Sequence, residues 1–316
     1  MNKHEDLFSK IKVRKFPNKN YHAIWHNLKT VRLGKGVASE LEPDRSEFYD
    51  VGINTRCNAE CPFCYVSATN KGTDFQDICE TWKKWMATFP EDKQVESTNV
   101  IVTEKPFQIA IGSTGEPTIH PQFCEFLKTV YDSGVVPNYT TNGIVLSDES
   151  TSLARNILEY TSKYCGGVAV SFSNPVLRER ATKAVNNLLS LSDVKVNIHH
   201  IISDNKSVDE FLKVVEEYGK NIYYHVLLPL MPSGRSKEGL QEGTWEYLED
   251  VLYKDPWKYK NVSFGAHFIN QLEKSNKIKT WMYPAESLSK NIILTKDCVK
   301  ITPSSFNLKP IKEINL

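Results

Sequence analysis

Strand-like and helix-like patterns of apolar and polar residues alternate along the chain from about residue 48 onward. Short apolar runs at 48–54, 107–111, 136–140, 167–171, 194–202 and 222–230 predict strands. Between them, 78–89, 122–132, 150–163, 176–191 and 208–218 predict helices. This is the grammar of a parallel sheet with crossover helices, and six repeats of it fit a doubly wound sheet or a barrel. In either case the functional loops lie at the carboxyl ends of the strands. Ahead of the alternation, 22–25 and 30–33 predict a hairpin across Asn27-Leu28-Lys29. Behind it, Met231-Pro232-Ser233-Gly234 ends the regular pattern. The tail then predicts a helix over 244–252, a strand over 262–266 and a hairpin from 291–295 and 299–302. The expected organisation is an N-terminal extension over 1–46, a core over 47–234 and an α+β extension over 235–316 that covers the core.

Composition adds little to this except by exclusion. The 316 residues are 40% hydrophobic and 24% charged, which is enough apolar material for a core and argues against disorder. The start, Met-Asn-Lys-His-Glu-Asp, is charged and no apolar run follows, so no secretory signal is expected. Nor does any apolar stretch approach the roughly 18 residues of a membrane span, and a cytoplasmic protein is the expectation. Residues 1–36 hold nine Lys or Arg against two Asp or Glu, although the chain's net charge is only +1. Such a basic arm either docks an anionic substrate or nucleic acid, or is a solvated extension.

Cysteine placement changes the picture most. Seven cysteines, an odd and unevenly spaced set, do not make a disulfide framework and suit a reducing compartment. Cys79, Cys124, Cys165 and Cys298 are scattered and read as small buried apolar residues. The other three fall in Cys57-Asn58-Ala59-Glu60-Cys61-Pro62-Phe63-Cys64, directly after the first strand of the alternation. Structural zinc needs four protein ligands, and no histidine stands nearby to complete a set. Iron–sulfur clusters usually take four cysteines. Three leave one iron open, as a catalytic site requires.

The C-x3-C-x2-C spacing, with an aromatic residue before the last cysteine, resembles the signature of radical S-adenosylmethionine (radical SAM) enzymes. The resemblance extends over about 48–234 and implies a partial (β/α)6 barrel, open on one side. It implies one 4Fe–4S cluster on Cys57, Cys61 and Cys64, with S-adenosylmethionine chelating the open iron. One electron would then cleave the sulfonium, and the 5′-deoxyadenosyl radical would abstract hydrogen from substrate. The cofactor carries that chemistry, and the protein places it and excludes water.

Further motifs follow later strands. Gly112-Ser113-Thr114-Gly115-Glu116-Pro117 resembles the family's Gly-Gly-Glu-Pro motif, departing from it at Thr114. The resemblance places Phe63, Gly115, Glu116 and Pro117 at the cofactor. There glycine would let the backbone approach the methionine moiety, and the Glu116 carboxylate would accept from its ammonium group. Thr140-Thr141-Asn142-Gly143 resembles segments beside the cofactor, which implicates Asn142. Val170-Ser171-Phe172-Ser173-Asn174-Pro175 resembles the segment whose serine meets ribose or methionine, with Arg178 meeting the carboxylate. Independently, Asn174-Pro175 reads as a helix N-cap followed by a first-turn proline. Period-two alternation puts Asn197 and His199 on one face of the fifth strand and His200 on the other, so His199 either faces a barrel interior or is a structural histidine. The stretch 297–306 resembles the start of extensions that bind auxiliary clusters, but Ser304 or Ser305 stands where they carry cysteine, so one cluster is expected.

A peptide or protein side chain is the first substrate expectation. A nucleotide or nucleic acid, supported by the basic arm and by Trp25 and Tyr21 as stacking residues, is the second. A non-enzymatic metal-binding protein is the third. The expected electron donor is a flavodoxin or ferredoxin.

Overall fold

The computed structural model describes residues 7–16, 21–34, 45–279, 282–283, 290–303 and 308–316. Ser304 and Ser305 fall outside that set. Three strands come first: Ile11–Phe16 (β1), Tyr21–His26 (β2) and Lys29–Gly34 (β3). The alternation begins with Phe48–Gly52 (β4) and Ile78–Ala87 (α1). A short ribbon, Lys93–Gln94 (β5) and Val100–Val102 (β6), interrupts it. It resumes through Gln108–Ile111 (β7), Phe123–Asp132 (α2), Val136–Thr141 (β8) and Ser152–Tyr164 (α3). Gly167–Ser171 (β9), Arg178–Leu189 (α4), Lys195–Ile202 (β10) and Asn205–Tyr218 (α5) continue it. Tyr224–Pro229 (β11), Thr244–Lys254 (α6), Val262–Phe264 (β12) and Ile269–Lys274 (α7) close it. The tail adds Lys290–Thr295 (β13), Cys298–Thr302 (β14) and Lys312–Asn315 (β15).

The main sheet runs β12-β11-β10-β9-β8-β7-β4-β13-β14-β15, parallel from β12 to β13. Every carboxyl end of β4, β7, β8, β9, β10 and β11 therefore opens on the same side. β10 shows why one face is packed and the other is not. Val196, Ile198, His200 and Ile202 are buried, whereas Lys195, Asn197, His199 and Ile201 are only half-buried on the opposite face. The helices cover the first face. Trp82 and Trp85 of α1 pack edge-on to each other at 5.4 Å, and Phe126 of α2 meets Trp82 at 5.9 Å, over Tyr49, Val51, Ile109 and Ile111. The open sheet with half-buried polar positions inside agrees with the expected partial barrel.

Two expectations change. The C-terminal hairpin was expected to cover the core; instead β13 pairs in parallel with β4, Asn291 beside Asp50, so this part of the tail lengthens the sheet. In the basic N-terminal segment Lys12 and Arg14 are taken up inside the fold, whereas Lys29 is exposed. β1, β2 and β3 form a second sheet with β6 and β5, and a two-residue turn at Asn27 and Leu28, both at positive φ, makes the predicted hairpin. Lys12 and Arg14 are each 2% exposed within it. Arg14 donates to the carbonyls of Thr103, Glu104 and Lys105. Lys12 donates to the carbonyls of Phe107 at 2.9 Å and Gly134 at 2.7 Å and lies over the Trp25 ring. Trp25 is fully buried and so cannot stack on a base.

Burial of Lys12 has a thermodynamic consequence. Desolvation lowers its pKa from 10.5 to about 7. Between those values the unfolded chain binds a proton that the folded chain has released, so this group makes stability rise with pH across that window. Denaturant titrations of the parent and of Lys12→Met at pH 7 and pH 9 are expected to show a smaller gain with pH in the variant. Equal gains would place the Lys12 titration elsewhere.

Candidate cofactor site

The cysteine loop leaves the carboxyl end of β4 and is held at its base before the first thiol. Asn54 is 1% exposed, and its Nδ2 donates to the Glu116 carbonyl at 2.9 Å. Arg56 pairs with Asp74 at 2.6 Å and donates to the Ile119 carbonyl at 2.7 Å, while its own carbonyl accepts from Glu116 N at 2.9 Å. Gly115 of the facing loop lies against these two anchors, where there is no room for a side chain. A Cβ on Gly115 would lie 2.5 Å from Asn54 Oδ1 and 2.6 Å from the Arg56 carbonyl. The glycine therefore serves close approach within the chain. Thr114, the departure from the family motif, occupies the space left by Gly52 and donates to the Asn54 carbonyl at 2.5 Å.

Glu116 has a structural role within the chain as well. Its side chain is buried and already engaged by four donors. Oε1 accepts from Thr118 N at 3.2 Å, Thr118 Oγ1 at 2.6 Å and Thr141 Oγ1 at 2.8 Å; Oε2 accepts from Asn142 N at 2.7 Å. Burial still pushes its carboxyl above its ordinary value, against the pull of those donors. The carboxylate joins the loop after β7 to the loop after β8. Pro117 follows it as the first residue of a 3-10 turn, Pro117–Ile119, for which Glu116 is the N-cap.

Asn142, so oriented, reaches the cysteine loop. Its Nδ2 donates to Asn58 Oδ1 at 2.8 Å and lies 3.8 Å from Cys57 Sγ. Asn174 does the same from the loop after β9. Its Oδ1 accepts from Val176 N at 3.1 Å as the predicted cap, and its Nδ2 donates to Cys61 Sγ at 3.2 Å. Tyr65, just past the last cysteine, donates to the Ser113 carbonyl at 2.9 Å. Phe63 is half-buried in the same loop. Ser171 ends β9 and shares the inner face of the sheet with His199 and Val226, its register partners along the neighbouring strands. Burial lowers the His199 pKa to about 4, so its imidazole is neutral at physiological pH.

Arg178 meets Phe172 and Glu210. Its guanidinium lies 5.1 Å from the Phe172 ring and 4.0 Å from Glu210 of α5, which draws it to the helix layer. A cation absent from the sequence expectations lies beside the loop. Arg235 donates to the Cys61 carbonyl at 2.7 Å and to the Ala68 carbonyl at 2.9 Å. Its only sequence signal was a Gly-Arg pair just past the sixth strand. Of the scattered cysteines, Cys79 and Cys165 are buried as expected, whereas Cys124 and Cys298 are half-buried.

The donor set suits an iron–sulfur cluster. All three loop thiols are free and half-buried. Burial pushes the Cys57 and Cys61 thiols up, with the Asn174 amide opposing this at Cys61 and neighbouring cysteines adding to it at both. Among the described residues no three His, Cys, Asp or Glu side chains converge as they would on a single ion. Cluster ligands hold different irons and do not need to. A buried Nη2 of Arg235 without a partner and the Asn174 amide supply the N–H groups that sulfur ligands accept.

Comparison with known proteins agrees with this geometry. No family model matches the chain. It is 29% identical over 99 residues to the tungsten-containing aldehyde ferredoxin oxidoreductase cofactor-modifying protein of Pyrococcus furiosus, covering 31% of this chain and 24% of that protein. Over 206 residues it is 22% identical to GTP 3′,8-cyclase of Clostridium perfringens, 61% of this chain and 58% of that one. The chain thus spans less than two thirds of the length of either relative. In fold it matches Streptococcus suis SuiB bound to S-adenosylmethionine with a TM-score of 0.59 at 14% identity, over 86% of this chain and 63% of that one. SuiB bound to its precursor peptide SuiA matches at the same TM-score over 86% of this chain and 62% of that one, at 15% identity. A parallel open sheet with a three-cysteine loop at its carboxyl edge defines the class, and the chain belongs to the radical SAM superfamily. No helix among the described residues is long and apolar enough to cross a membrane.

Proposed function

We propose that this chain is a radical SAM enzyme that holds one 4Fe–4S cluster on Cys57, Cys61 and Cys64 and acts on a peptide or protein side chain. The observation that carries the first part is convergence: loops from four other strand ends bond to the cysteine loop through Glu116, Asn142, Asn174 and Arg235. Cys57, Cys61 and Cys64 would hold the cluster, which would supply the electron for reductive cleavage of S-adenosylmethionine. The chain's own residues orient and enclose. Asn142, Ser171 and Phe63 are the cofactor-facing residues in this reading. Gly115, Glu116 and Pro117 act behind them by fixing the loop. His199 and Asn197, neutral and polar on the inner sheet face, offer hydrogen bonds to substrate without charge.

The peptide assignment is supported by the likeness to SuiB, whose structure has been solved with a precursor peptide. Burial removes Trp25, Lys12 and Arg14 from the features the sequence offered for a nucleic acid, and the Tyr21 side chain lies outside the described residues. A flavodoxin or ferredoxin is the proposed electron donor. The test is anaerobic: reconstituted protein, S-adenosylmethionine and reductant are given either a degenerate peptide library or the four nucleoside triphosphates. Faster 5′-deoxyadenosine release with peptides, together with a mass change in a peptide, is expected. Stimulation by a nucleotide alone would replace the peptide reading with the nucleotide one that the cyclase relative suggests.

A further inference from the structure

Resting on the cluster reading above, we propose that Arg235 is the positioning residue of the iron–sulfur site, with its guanidinium shaping the cysteine loop and presenting a donor to cluster sulfur. The segment just past β11 returns to the cysteine loop from about 170 residues away and grips it at four points. Ser233 Oγ donates to the Tyr65 carbonyl at 3.2 Å. Arg235 N donates to the Cys64 carbonyl at 3.0 Å. Nε and Nη1 of the same residue take the carbonyls of Cys61 and Ala68 at 2.7 and 2.9 Å. Gly234 makes this approach possible. It stands at φ +64°, and a Cβ there would lie 2.3 Å from the Cys64 carbonyl oxygen.

The remaining nitrogen is the informative one. With Nε and Nη1 engaged, the planar guanidinium is fixed in orientation, and Nη2 is left buried with no partner. A buried cationic N–H without an acceptor is costly, so its presence beside Cys61 points to an acceptor that arrives with the ligand. Sulfur of an anionic cluster is such an acceptor. Asn174 meets the same cysteine at its sulfur. A fixed positive charge and N–H donors close to a cluster favour its reduced, more negative state and so raise its potential. Arg235 is then placed to do two separable things: hold the carbonyls of Cys61 and Cys64 in register, and ease the one-electron reduction.

The test uses full-length protein reconstituted anaerobically, with two readouts that do not involve turnover. One is the half-life of the cluster's visible absorbance under a ferrous chelator. The other is the midpoint potential from a redox titration followed by electron paramagnetic resonance. Arg235→Met is expected to shorten the half-life about 10-fold and to move the potential to more negative values. Arg235→Lys keeps the charge but cannot engage both carbonyls and Nη2's acceptor together. It is expected to shorten the half-life while leaving the potential near that of the parent, and it carries the test if the Met variant does not fold. Parent-like half-life and potential in both variants, with a 4Fe–4S cluster present in the parent, would overturn the role of Arg235 and leave the proposed function standing. A parent that takes up no cluster would overturn both.

Discussion

Cys61→Ala protein, reconstituted anaerobically and supplied with a strong reductant, is expected to release no 5′-deoxyadenosine from S-adenosylmethionine. Cys57→Ala and Cys64→Ala are expected to behave the same way. In the proposed site each thiol would hold a different iron, so none is redundant, and the remaining cysteines lie elsewhere in the fold. Cys79 and Cys165 are buried in the sheet–helix core, and Cys124 takes a hydrogen bond from Asn156 at 3.4 Å. Iron bound after gel filtration should fall from about four per chain toward zero in each loop variant. Ala at Cys79, Cys124, Cys165 or Cys298 should spare both iron and cleavage, with a packing loss on the order of 1 kcal/mol at the buried positions. Cys298 is the informative control. It pairs with Thr295 and Asn315 in the C-terminal strands, in the part of the sheet built by the tail. Retained 5′-deoxyadenosine formation in Cys61→Ala would sink the cluster assignment outright.

Much of the frame was legible because it rests on local periodicity. Alternation in β10 correctly separated Asn197 and His199 from His200, since a strand's two faces follow directly from residue parity. The cysteine loop and the Glu116, Asn142 and Asn174 loops were found because each sits at the carboxyl end of a strand in a parallel sheet. What failed were statements about which partner a polar group meets. Lys12 and Arg14 look like solvated charges on a basic arm, but backbone carbonyls of 103–107 and 134 come from far along the chain to satisfy them. Arg178 was legible only by its distance in sequence from Ser171, and nothing in the sequence signalled its contacts with Phe172 and with Glu210 of α5. Arg235 reaches Cys61 across 174 residues, a separation with no local signature. Periodicity fixes which face a residue is on, whereas satisfaction of polar groups is decided by the tertiary structure.

Gly115 gives the second large effect, and the structure changes what it should be. The motif alone implied that a side chain there would hinder S-adenosylmethionine and leave the cluster in place. In the fold, the atoms a Cβ would strike are Asn54 Oδ1 and the Arg56 carbonyl, at 2.5 and 2.6 Å, one residue short of Cys57. Neither can yield cheaply. Arg56's carbonyl holds Glu116 N, its guanidinium holds Asp74, and Asn54 is bonded to both Thr114 and Glu116. Gly115→Val should therefore push the base of the cysteine loop away, lower stability by about 1–3 kcal/mol, and lose the cluster together with cofactor binding. Glu116→Ala should reach the same end by another route, leaving Asn142 N and the hydroxyls of Thr118 and Thr141 without their common acceptor, a loss on the order of 3 kcal/mol. Thr114→Gly provides the contrast. It restores the family's glycine, gives up the bond to the Asn54 carbonyl and introduces no clash, so it should cost some stability and keep the iron. Iron content and denaturant midpoints of the three variants separate the accounts. If Gly115→Val keeps a full complement of iron and loses only S-adenosylmethionine affinity, the glycine faces the ligand and the internal contact is incidental.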